Sequence, residues 1–167
     1  MITYDLHIQG GTVVDGTRVP RYTGDVWIKD GRIAKVGGKT DGVSERVIDA
    51  TGLIVAPGFI DLHTHYDAQI RWDPWCTPSS WHGVTTVVMG NCGVTFAPCK
   101  PADRQVLAEM MESVEDIPAD AILSGLPWDW ESYPEYLDSY DRMPKGINVG
   151  GMVGHCSVRI AAMGERA

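Results

Sequence analysis

The chain has 167 residues, 44% hydrophobic and 22% charged, with a formal net charge of -8. That is the make-up of an ordinary folded domain able to bury a core. The acidic balance excludes phosphate-backbone recognition, because nucleic-acid binding draws its affinity from clustered Lys and Arg and no basic run is present.

Cys76, Cys92, Cys99 and Cys156 are widely separated, with no CxxC pair and none of the dense spacing of a disulfide-stapled secreted domain. A reducing compartment is the expectation. The opening Met1-Ile-Thr-Tyr-Asp lacks the basic and apolar segments of a secretory signal, and no apolar run approaches the roughly 20 residues of a membrane helix. A cytoplasmic protein with no membrane partner is the reading.

From Tyr4 to Val55 the sequence offers short β-type runs broken by Gly and Asp: Tyr4-Asp-Leu-His-Ile-Gln, Thr12-Val-Val, Asp25-Val-Trp-Ile-Lys, Arg32-Ile-Ala-Lys-Val, Arg46-Val-Ile-Asp-Ala and Leu53-Ile-Val. Asp30-Gly31 predicts a tight hairpin, since both central residues of a type I′ turn need positive φ. Residues 1–55 are expected to form a small all-β unit.

After Ala56-Pro57-Gly58 the rhythm changes to apolar strands alternating with longer, helix-compatible stretches, the βαβ pattern of a parallel sheet. Residues 56–167 are read as this second, α/β unit. Its strands are Phe59–His63, Val84–Met89 and Ile147–Gly154. A helix is predicted over Ala102–Val114, with Val106, Leu107, Met110 and Met111 on one face, and a shorter one over Ser132–Tyr140 with Ser132 as N-cap.

Side chains alternate across a strand, so Phe59, Asp61, His63 and His65 are expected on one face. Two neutral imidazoles at the C-terminal mouth of a barrel strand would form half of a tetrahedral zinc site. Asp61, on that face, could accept an imidazole N–H. Cys92 follows the second strand between Gly90 and Gly93; it is either a thiolate ligand to the same zinc or an inert buried thiol. His155, in phase with Val153 and Gly151, either faces the same cavity or is a satisfied structural histidine, and Arg159 is either a carboxylate clamp for substrate or a solvated charge. His7 and His82 read as structural, and Cys76, Cys99 and Cys156 as inert thiols.

Four stretches together resemble the N-acyl-D-amino-acid deacylases, or D-aminoacylases, of the amidohydrolase superfamily: Pro57-Gly-Phe-Ile-Asp-Leu-His-Thr-His, Gly83-Val-Thr-Thr-Val-Val-Met-Gly-Asn-Cys-Gly, Trp128-Asp-Trp-Glu-Ser-Tyr-Pro-Glu-Tyr-Leu and Gly154-His-Cys-Ser-Val-Arg. The first alone identifies only the wider superfamily; Gly-Asn-Cys-Gly and Trp-Asp-Trp-Glu are more selective. The resemblance implies an α/β fold: the N-terminal part of a distorted, metal-dependent (β/α)8 TIM barrel, preceded by a small β-sandwich segment. His63, His65 and Cys92 match ligand positions for Zn2+; His155 and Arg159, not matched to family positions, are the candidate substrate contacts from their place after the third strand. In that family further histidines and a catalytic Asp come from later barrel strands, so this chain is expected to hold no catalytic base and to be inactive alone.

A (β/α)8 barrel takes about 250 residues, and only about 110 remain after the leader. At least five strands are therefore missing, and a complementing chain, a longer native protein or a homo-oligomer is expected to cover the open sheet. The activity implied is hydrolysis of an N-acyl amino acid amide to a carboxylate and a free D-amino acid. Cyclic amide hydrolysis of the dihydroorotase or hydantoinase kind is the nearest alternative, against which Gly-Asn-Cys-Gly argues; a non-catalytic fragment or subunit is the third reading.

Overall fold

The computed structural model describes residues 2–38, 40 and 42–167. Contacts divide the chain into two units, Met1–Pro57 and Gly58–Ala167.

In the first unit, β1 (Thr3–Val13) is the hub of a five-stranded sheet. β2 (Tyr22–Lys29) pairs antiparallel with it and β3 (Arg32–Val36) antiparallel with β2, while β4 (Val43–Asp49) and β5 (Ile54–Val55) run parallel to β1. The β2–β3 connection is the tight turn read from Asp30-Gly31: the two residues sit at φ 51° and 69°. His7 stacks on Trp27 at 3.5 Å between ring centroids, and its Nε2 lies 2.9 Å from Asp25 Oδ2. It is a structural histidine. Asp25 Oδ1 also accepts the N–H of Gly10 at 2.8 Å, where β1 bulges between Ile8 and Gly11.

In the second unit, β6 (Phe59–Thr64), β7 (Val84–Met89) and β8 (Asn148–Gly151) form a parallel three-stranded sheet in that order. Helices α1 (Thr77–Ser80), α2 (Arg104–Glu115), α3 (Ala119–Gly125), α4 (Tyr133–Asp141) and α5 (His155–Met163) accompany it. Val87 and Met89 of β7 join Ile70, Phe96, Leu107, Met111, Ile122, Tyr136 and Tyr140 in a single buried cluster, so the central strand and the helices share one core. Fully burying a side chain of this size stabilises by about 1.5–3 kcal/mol.

Helix α2 begins after a 3-10 turn at Pro101–Asp103 and buries Leu107, Ala108 and Met111; Val106, expected on the apolar face, is 41% exposed. Helix α4 opens with a capping box in which the Glu135 carboxylate accepts the Ser132 backbone N–H at 2.9 Å. The largest departure from the expected elements lies at the third strand, which stops at Gly151 instead of reaching Gly154. A close approach ends it: a Cβ on Gly154 would fall 2.7 Å from both Gly93 O and Thr95 Oγ1. The chain then turns into α5, a helix that the strand-like reading of this stretch missed.

Strand β6 lies at an edge of its sheet, with Phe59, Ile60 and Leu62 exposed by 66%, 61% and 58%. Parallel strands are ordinarily covered on both faces, so this apolar strand is bare where such a strand is normally packed. Among the described residues, no helix is long and apolar enough to cross a membrane.

Candidate metal centre

The site is built on an irregularity in β6. Asp61 pairs with Val87 and Thr64 with Met89, so β6 uses three residues where β7 uses two. The extra residue makes a bulge at Leu62–His63, a device common beside active sites because it re-aims side chains. The Asp61 carboxylate accepts the backbone N–H of His63 across it at 3.1 Å, and Thr64 Oγ1 donates to Val88 O at 3.0 Å. Simple alternation therefore does not carry through from Asp61 to His65. Asp61 serves the bulged backbone and is not the acceptor expected for an imidazole.

Cys92 lies in a turn just after β7 and is solvent-exposed, which removes the inert buried-thiol reading. Gly90 and Gly93, on either side, adopt φ of 82° and 99°, a region that disfavours any side chain. A Cβ on Gly90 would also fall 2.2 Å from Met152 O. The Val94 N–H points at Cys92 Sγ at 3.4 Å. Helix α5 fixes the turn from behind: Cys156 N–H donates to Gly93 O at 2.9 Å, and the buried Ser157 hydroxyl donates to Thr95 O at 2.6 Å.

These two strand ends bring one ligand atom each from His63, His65 and Cys92 to within 4.8 Å of one another. The imidazole rings are 5.4 Å apart between centroids. His65 Nδ1 is hydrogen-bonded to Glu115 Oε1 at the end of α2, and His65 Nε2 is buried with no partner. An orphaned buried nitrogen is costly, and its lone pair is available to a cation. The histidines line a cleft of about 590 Å³ together with Asp61, Tyr66, Gln69 and Glu115.

The other expected site residues fall elsewhere. His155 is the first residue of α5 and not a strand residue; its Cβ lies near Gly93, next to Cys92 in sequence, and it is exposed. Arg159 lies one turn further along α5, where it lines a separate groove with Val106 and Met110 of α2. It is not among the residues that line the histidine cleft. His82 is exposed just before β7. Burial pushes the Cys76 thiol up to about 12 and the Cys99 thiol up to about 11, consistent with inert groups.

Sequence reasoning missed two contributors. Glu115 meets His65 across 50 residues of sequence, beyond the reach of any local pattern. Asp67 is fully buried, two residues past the histidine pair; Tyr136 donates to its Oδ1 at 2.7 Å and Tyr140 donates to its backbone carbonyl. Burial raises the Asp67 carboxyl to about 7, although the Tyr136 hydrogen bond pulls it down. The signal was present in the Trp128–Leu137 stretch, whose Tyr136 and Trp130 turn out to be anchors: Trp130 Nε1 donates to Phe96 O at 2.6 Å.

Residues 46–167 match the amidohydrolase family. The chain belongs to that family. It is 37% identical over 160 residues to D-aminoacylase of Alcaligenes xylosoxydans xylosoxydans, a match covering 96% of this chain and 31% of that protein. N-acyl-D-glutamate deacylase from the same organism is 36% identical over 163 residues, covering 98% and 31%. Among solved structures, N-acyl-D-glutamate deacylase from Bordetella bronchiseptica, complexed with zinc and a phosphonate mimic of the tetrahedral intermediate, superposes with a TM-score of 0.79 at 35% identity, covering 98% of this chain and 32% of that one. This amidohydrolase chain thus has the α/β fold of that structure and spans about a third of the length of the relatives it matches.

Proposed function

We propose that this chain supplies the first part of the active site of a zinc-dependent hydrolase that cleaves N-acyl-D-amino acids to a carboxylate and a free D-amino acid. The observation that carries the reading is the convergence of His63, His65 and Cys92 within 4.8 Å, in a chain whose deacylase relatives match over 96% or more of its length. The donor set suits the metal. Two imidazole nitrogens and one thiolate are ordinary zinc donors, and His63, His65 and Cys92 would hold the ion together with the histidines implied on later strands. The buried, unpartnered Nε2 of His65 fits a ligand better than a structural histidine.

When bound, zinc would polarise the scissile carbonyl and lower the pKa of a coordinated water towards about 7. The residues of this chain act around that chemistry. His63, His65 and Cys92 hold the cation, the Gly90–Gly93 turn presents the thiolate, and the cleft admits the substrate. His155, whose Cβ lies near Gly93, would contact substrate near Cys92; Arg159, one turn further along α5, would serve as a carboxylate clamp or as a solvated charge. Both carboxylates of the cleft are engaged, Asp61 by the His63 backbone and Glu115 by His65. The general base would be the Asp that the family resemblance implies on a later barrel strand.

In the same reading, β6, β7 and β8 are the first three strands of a distorted (β/α)8 barrel, and the N-terminal sheet is part of a β-sandwich. The bare apolar residues of β6 support a cover from the remaining strands, whether in a longer polypeptide or a complementing chain. Four free cysteines fit a reducing, cytoplasmic setting.

The test is amine release from N-acetyl-D- and N-acetyl-L-amino acids, with zinc measured before and after chelation. D-selective hydrolysis, lost on chelation and restored by zinc, is expected once the remaining strands are supplied. Equal hydrolysis of both enantiomers, or activity indifferent to chelation, contradicts the proposal.

A further inference from the structure

We infer that Glu115 is a positioning residue for the metal centre, acting through His65 and not on substrate; this rests on the metal reading above. Glu115 Oε1 meets His65 Nδ1, which puts the ring proton on Nδ1 and leaves the lone pair of Nε2 free. Nε2 is the atom that is buried without a hydrogen-bond partner. One contact therefore sets both the tautomer and the direction in which the imidazole can bind a cation, as carboxylates behind metal-bound histidines do in general.

The position of Glu115 gives the contact independent weight. It is the last residue of α2, whose final turn also carries Glu112 and holds no basic residue. Acidic side chains at a helix C-terminus face the negative end of the macrodipole and are locally unfavourable. Glu115 is satisfied instead by a tertiary partner, and departures from local preference of this kind gather at functional sites. Its side chain is 33% exposed and that of His65 20%, so the pair is partly shielded from water. Asp67, the carboxylate nearest His65 in sequence, accepts from the Tyr136 hydroxyl, and Asp61 accepts the His63 backbone N–H through Oδ1.

The experiment compares Glu115→Ala and Glu115→Gln with the unmodified protein, reading zinc affinity by competition with a chromogenic chelator and thermal unfolding of the metal-free forms. Glu115→Ala is expected to weaken zinc roughly 10- to 100-fold. Glu115→Gln should recover part of that loss, since its amide oxygen accepts the same N–H, and the metal-free unfolding temperatures should coincide. Zinc held equally by the Ala variant and the unmodified protein overturns the inference alone, as does a weakening that Gln shares in full or that tracks metal-free stability. Failure of the unmodified protein to bind zinc overturns the metal reading itself and this inference with it.

Discussion

The side-chain amide of Asn91 donates to the backbone carbonyl of Leu62 at 2.9 Å, joining the residue before Cys92 to the residue before His63. Leu62 sits in the β6 bulge, so its carbonyl is turned out of the regular ladder and is free to accept. The link holds the thiol-bearing turn against the histidine-bearing strand end. Asn91→Ala should lower zinc affinity several-fold, while stability falls by only about 0.5–1.5 kcal/mol, the net worth of one exposed hydrogen bond. Chelator competition and chemical denaturation measure the two; a stability loss with unchanged affinity would show that the link does not shape the site.

Thiol reactivity separates Cys92 from the buried cysteines. With Cys76 and Cys99 pushed up to about 12 and about 11 by burial, neither supplies useful thiolate at about pH 8. Cys92 is exposed. A disulfide reagent should label Cys92 rapidly in metal-free protein and slowly after zinc is added, with Cys76 and Cys99 unlabelled throughout until unfolding. Peptide mapping reads the outcome; labelling of Cys92 at the same rate with and without zinc counts against ligation.

Acid stability of the N-terminal sheet depends on Asp25. The Gly10 N–H, and after it His7, hold its carboxyl below the ordinary value of 3.8. The folded value is the lower one, so this contribution is present above the unfolded value and disappears as pH falls through the folded value. Asp25→Ala should lose about 1–2 kcal/mol at neutral pH and decline less steeply than the parent on acidification. Parallel acid-unfolding profiles of parent and variant would refute this.

What could be read from residues alone followed how local the cause was. The Asp30-Gly31 turn, strand β7 and the capped helix α4 each rest on neighbours in sequence, and all three stand where their residues suggested. The histidine pair and Cys92 could be named from spacing and family likeness. The bulge that re-aims the histidines could not, because it arises from how β6 registers with β7. His155 was placed on a strand's continuation, whereas the close approach of Gly154 to Gly93 accompanies a turn into a helix there. Glu115 was invisible for the plainest reason: its partner is 50 residues away.

X-ray absorption at the zinc edge of the metal-loaded protein tests the central claim most directly. The account predicts one sulfur at about 2.3 Å together with nitrogen ligands at about 2.0–2.1 Å, with the sulfur shell lost in Cys92→Ser and imidazole scattering reduced in His63→Ala or His65→Ala. A shell free of sulfur in the unmodified protein, or a sulfur shell that survives Cys92→Ser, would contradict it.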